Sequence, residues 1–107
     1  MSGDPQRWHR VFNDIHQERE RQDQRWDEQN RCPIAYVAIC TEELGEVTKE
    51  ALTLDLVPNH PKTPEVRENY RKELVQLAAC VVAAIEAFDR GKWTPGDIYS
   101  RNGFPEN

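Results

Sequence analysis

The chain has 107 residues, 37% of them hydrophobic and 31% charged, with a formal net charge of -5. That length holds one small domain with a marginal core of its own, and the composition is not that of a disordered chain. The acidic balance argues against a general nucleic-acid binder, and no charge-free apolar run reaches the roughly 18 residues of a membrane span.

The first helix is expected from about Pro5 to Gln22. Trp8, Val11, Phe12 and Ile15 recur at helical spacing, and Asp4-Pro5 reads as a cap followed by a proline at the first helical position. Residues 18–31 are highly charged, with Trp26 as their one large apolar side chain, and read as frayed helix or ordered loop. A second helix should run from Pro33 to about Leu56, with Val37, Cys40, Leu44, Val47, Ala51 and Leu54 as its apolar stripe. Val57 to Pro64 contains Pro58, Pro61 and Pro64, and reads as a short connection. The third helix is expected from about Glu65 to Arg90, with Gly91 just past its end. Tyr70, Leu74, Leu77, Val81, Ile85 and Phe88 form one stripe on it. Val75, Ala78, Ala79, Val82 and Ala83 widen that stripe until the helix is apolar most of the way round. Such a helix is buried on several sides, and a chain this short has few elements to cover it. Thr94-Pro95 could begin one more short turn, with Asp97 and Ile98 in it. The pattern is all-α: an antiparallel helical bundle of one domain, completed by oligomerisation.

Cys32, Cys40 and Cys80 are an odd number with no CxxC pair, which suits reduced thiols in the cytoplasm. The N-terminus shows no apolar signal region, and the expected location is cytoplasmic. Cys40 and Cys80 fall on apolar stripes and read as core residues. His9, His16 and His60 have no ligand spacing, and no Ser/His/Asp or Cys/His set is visible.

The acidic excess is concentrated. Residues 32–56 carry Lys49 against Glu42, Glu43, Glu46, Glu50 and Asp55. At helical geometry the four glutamates fall within an arc of roughly 100°, beside the apolar stripe. Glu42 and Glu46 are an i,i+4 pair and Glu43 and Glu46 an i,i+3 pair, so their side chains are neighbours. Hard cations such as Mg²⁺ and Mn²⁺ take oxygen ligands of this kind. The third helix carries Glu73 just before Leu74 and Gln76 inside its apolar stretch. Antiparallel pairing would let both face the acidic arc, and burying them is expensive unless they bind something. The plain alternative is a solvated glutamate face.

The run Thr41-Glu42-Glu43-Leu44-Gly45-Glu46-Val47 is followed, after a helix–loop–helix interval, by Arg71-Lys72-Glu73-Leu74-Val75-Gln76. Together they resemble the MazG-like all-α nucleotide pyrophosphohydrolases, whose signature is EExxE on one helix and ExxD on the next. Upstream, Glu18-Arg19, Gln22-Asp23, Trp26 and Glu28-Gln29-Asn30 are similar to the small phage- and integron-type members. Downstream, so are Ala83 and Ile85-Glu86-Ala87-Phe88-Asp89-Arg90, and the resemblance covers about residues 14–91. It implies hydrolysis of a nucleoside triphosphate to the monophosphate and pyrophosphate. It implies Mg²⁺, with Mn²⁺ as substitute, on Glu42, Glu43, Glu46 and Glu73. Gln76 stands where the family usually has Asp, and its neutral amide oxygen is a weaker ligand. Glu43 or Glu46 is the expected proton acceptor. Lys49, Arg71 and Lys72 are candidates for the phosphates, and Trp26 and Asn30 for the base or sugar. Family members form dimers and tetramers, so the expected partners are the nucleotide and a homodimer or homotetramer, with no nucleic acid and no membrane.

Two other classes compete with that reading. A di-metal carboxylate bundle for redox chemistry uses Glu-x-x-His pairs, and no His follows Glu42, Glu43, Glu46 or Glu73 at that spacing. A non-catalytic nucleotide-binding or interaction module of the same fold is kept open by Gln76.

Overall fold

The computed structural model describes residues 4–57 and 63–95. They form three helices, α1 Pro5–Trp26, α2 Pro33–Leu56 and α3 Thr63–Arg90, with no strand among the described residues. None of these helices is long and apolar enough to cross a membrane.

The start of α1 follows from its cap. The Asp4 carboxylate accepts from the backbone N–H groups of Gln6 and Arg7 at 3.1 and 3.3 Å, and Pro5 needs no partner for a missing N–H. The helix runs to Trp26, four residues past the expected end at Gln22. Pairs one turn apart hold this charged stretch: Arg21 Nε donates to Glu18 at 3.0 Å, and Arg19 meets Asp23 at 3.1 Å. Asp27 then turns the chain with φ 58° and ψ -167°, a region that suits glycine and strains other residues. Asp27→Gly is therefore expected to raise the denaturation midpoint, by about 1 kcal/mol of stability after glycine's own entropy cost. Equilibrium urea unfolding of the two proteins measures it.

In α2, Pro33 again occupies the first turn. α3 begins at Thr63, two residues before the sequence reading placed it, because Pro64 is tolerated where no helical N–H partner is needed. Gly91, at φ 66°, ends α3 as expected, and its N–H donates to the Ala87 carbonyl at 3.1 Å. Pro58 and Pro61, and the turn expected around Asp97 and Ile98, lie outside the described residues.

α3 is the central element. It packs against both α2 and α1, while the backbones of α1 and α2 do not come together. The core is narrow and built largely of small residues: Ala35, Ala79 and Ala87 are buried, with Cys32, Tyr36, Val47 and Val66. Within the single chain the apolar stripes are only partly covered. Of the α2 stripe Val47 is buried, but Val37 and Leu44 are 57% and 51% exposed. On α3, Leu74, Val81, Ile85 and Phe88 are exposed, Phe88 at 65%. Trp8, Val11 and Phe12 of α1 are exposed too, the two rings leaning on each other at 5.7 Å. The reason is geometric: three helices that meet only through α3 cannot cover every apolar face. A groove of about 370 Å³ results between α2 and α3, lined by Val37, Cys40, Leu44, Leu77, Val81 and Phe88 among others.

Polar contacts join the two ends of the chain. Arg19 of α1 is buried and grips Glu86 of α3 with two bonds, Nε to Oε2 at 3.0 Å and a terminal nitrogen to Oε1 at 2.8 Å. Arg90 donates to the Asn30 side chain at 2.9 Å and to the Gln29 carbonyl at 2.8 Å, tying the α1–α2 connection to α3. The Tyr36 hydroxyl donates to the same carbonyl at 3.1 Å.

Candidate functional site

The acidic residues of α2 and α3 come together around Glu43. Its side chain is half-buried, and its carboxyl is pushed above the usual range, first by burial and then by the charges of Glu73, Glu46, Glu42 and Glu18. Glu42 and Glu46 are exposed, whereas Glu73 and Gln76 are half-buried. As they stand, no three His, Cys, Asp or Glu side chains among the described residues are close enough to grip a metal ion. The donor set is all oxygen, which suits a hard cation.

This electrostatic arrangement has a checkable sign. A carboxyl whose folded pKa is raised destabilises the fold when ionised. The penalty is absent below the ordinary value of 4.5 and fully present above the raised folded value. Glu43→Gln should therefore stabilise the metal-free protein at neutral pH, and the gain should vanish in acid. Its size stays below about 1 kcal/mol, because solvent screens a half-exposed group. Urea titrations in acid and at neutral pH would read it.

Glu18 was not among the ligands carried over from the resemblance. Its side chain is 13% exposed, points into the acidic region from α1 and accepts from Arg21 and Gln22. No periodicity signals this, since one glutamate in a run of charges looks like its neighbours. Only the packing of α1 on α3 brings it opposite α2.

A cleft of about 360 Å³ opens beside these acids. Glu18, Glu42, Glu43 and Gln76 line it, together with Trp26, Gln29, Arg31 and Tyr36. Trp26 is half-buried at the end of α1, with the Arg25 guanidinium 4.9 Å from its ring centre. Both residues line the cleft.

The other expected substrate contacts are distributed differently. Asn30 has both ends of its amide engaged, donating to Glu28 at 3.1 Å and accepting from Arg90 at 2.9 Å. It holds the connection onto α3 rather than offering a free polar edge. Arg71 is paired with Asp14 of α1 at 2.7 Å. Lys72 is exposed and borders a shallower depression with Glu18, Arg71 and Gln76. Lys49 is exposed and lines neither opening. Cys80 has its thiol pushed up to about 12, chiefly by burial, and Cys40 is raised for the same reason. A neutral thiol is a poor nucleophile, so neither residue suits covalent chemistry at neutral pH.

No protein-family model, curated protein or solved structure matches the chain.

Proposed function

We propose that the chain is a Mg²⁺-dependent nucleoside triphosphate pyrophosphohydrolase of the MazG-like kind. The observation that carries the reading is the half-buried Glu43, surrounded by the charges of Glu42, Glu46, Glu73 and Glu18 at the mouth of a cleft with an aromatic wall. Such self-repulsion is costly in an empty site and is relieved by a bound cation.

Glu42, Glu43, Glu46 and Glu73 would hold Mg²⁺ or Mn²⁺, with Gln76 adding a neutral oxygen. When bound, the metal neutralises phosphate charge and lowers the pKa of a nearby water. Glu43 is the better of the two candidate bases, since burial and its acidic neighbours raise its own proton affinity. Trp26 offers a face for the base to stack on. The exposed Lys72 remains available to the phosphates, while Arg71 would have to leave Asp14, and Lys49 stands on the same face one turn beyond Glu46, outside the cleft lining. Water attack at the α-phosphorus, giving monophosphate and pyrophosphate, is the bond choice that the family resemblance supplies.

The fold that goes with this function is an antiparallel bundle completed by a second copy or by a tetramer. The exposed Val37, Leu44, Val81, Ile85 and Phe88 supply the apolar surface it would bury.

The decisive experiment presents a panel of ordinary and modified nucleoside triphosphates with Mg²⁺ or Mn²⁺ and identifies the products. Monophosphate and pyrophosphate support the proposal. Diphosphate and inorganic phosphate, or no turnover of any member, would sink it. Light scattering on the same sample should give two or four times the 12.5 kDa chain mass.

A further inference from the structure

The cleft contains one arginine whose charge no carboxylate answers among the described residues. Arg31 is only 5% exposed, yet its Nε–H has no hydrogen-bond partner. One terminal nitrogen donates to the Gln29 amide oxygen at 2.9 Å, and Arg31 makes no ion pair among the described residues. Its neighbours along the chain cannot help: Glu28 is taken by Asn30, Arg90 and Lys92. The other arginines of this wall are occupied. Arg19 holds Glu86 and Asp23, Arg21 holds Glu18, and Arg90 holds Glu28 and the connection. Arg25 lies against the Trp26 ring.

A guanidinium stays charged in a protein, and burying it without a counter-charge is costly. Desolvation accordingly pulls the Arg31 pKa down, with Tyr36 and Cys80 acting on it in the opposite direction. Among the described residues no carboxylate completes the compensation. An unpaired, preorganised N–H on a buried cation is a site for an oxyanion.

We infer that Arg31 binds a phosphate group of the nucleotide, its guanidinium charge answering the phosphate from the wall of the cleft. This rests on the proposed nucleotide-binding role of the cleft. It separates the two tasks of the site: α2 and α3 supply anions for a cation, and the connection before α2 supplies a cation for an anion. Sequence spacing pointed to Lys49, Arg71 and Lys72 instead, because a charged residue beside Cys32 and Pro33 carries no sign that the fold will bury it.

The test measures calorimetric binding of inorganic pyrophosphate, with and without Mg²⁺, to the wild type, Arg31→Gln and Arg31→Lys. Nucleotide turnover and melting temperature are recorded beside it. Arg31→Gln should weaken pyrophosphate binding by about tenfold or more, the usual weight of a charge-assisted bond, and raise KM more than it lowers kcat. Arg31→Lys should recover part of the affinity. Without ligand, Arg31→Gln should melt no lower than the wild type, because it removes an unpaired buried charge; a purely structural arginine would lower it. Unchanged affinity in Arg31→Gln overturns the inference. So does a fall in oligomer mass on that substitution with affinity intact, which would give the guanidinium to a carboxylate of a second copy. If the wild type binds pyrophosphate through Arg31 but hydrolyses no nucleotide, the anion site stands and the enzymatic proposal falls. If nucleotides are hydrolysed and Arg31→Gln leaves KM unchanged, the proposal stands and this inference falls.

Discussion

Glu43→Ala and Glu73→Ala are each expected to lower pyrophosphate release on the order of 10²-fold or more while the helices remain formed. The two carboxylates face each other from α2 and α3, and Glu73 is the largest charge acting on Glu43. Either change takes a charged oxygen from the proposed cation site. Both also remove like-charge repulsion, so circular dichroism and urea unfolding should show a fold at least as stable as the wild type. That combination, activity lost and stability kept, is what distinguishes a site residue from a core residue. Gln76→Asp adds back a carboxylate on the wall of the cleft and should keep or raise the rate at limiting Mg²⁺. Should Gln76→Asp create activity in an otherwise inert protein, the non-catalytic module would be the better reading. Wild-type rates in both alanine variants would place the chemistry elsewhere.

Glu86→Ala is expected to cost about 2 kcal/mol of stability. The residue meets Arg19 through two hydrogen bonds, and Arg19 is buried. Removing the carboxylate leaves that guanidinium with only Asp23 and Gln22 on its own helix. The figure is below the 3–5 kcal/mol typical of a fully buried pair, since Glu86 is half exposed and solvent screens it. The pH dependence has a definite sign. Hydrogen bonding from Arg19 holds the Glu86 carboxyl below its ordinary value of 4.5. Its contribution is therefore present above that value and is lost as pH falls through the lower folded one. The wild type and Glu86→Ala should converge in stability in acid. Urea unfolding at neutral and acid pH checks both the size and the sign. A difference that persisted unchanged in acid would mean that the pair does not anchor α1.

The three helices were legible because each carries its own instructions. Asp4-Pro5, Pro33 and Gly91 set boundaries through backbone geometry alone, and apolar residues at helical spacing filled the intervals. The sequence reading fell short at Gln22, where a run of charges carries no apolar period. The helix continues to Trp26 because Arg19 and Arg21 find partners one turn away. The acidic arc was legible for the same local reason, since Glu42, Glu43 and Glu46 share one helical face whatever surrounds them.

What only the tertiary structure decided is which faces meet. Periodicity names an apolar stripe but not its partner, and Val37, Leu44 and Phe88 point outward because α1 and α2 meet only through α3. The surroundings of Glu18, Asn30 and Arg31 were equally invisible. Their neighbours Glu43, Arg90 and Tyr36 include residues distant in the chain, and a side chain's burial, charge partners and free hydrogen-bonding atoms are properties of that neighbourhood. Sequence by itself determined the helices and the carboxylate face, which depend on spacing within one element. The packing of α3 against the other two helices determined the cleft, the exposed apolar groove and the unanswered charge of Arg31, because each depends on atoms that only folding brings together.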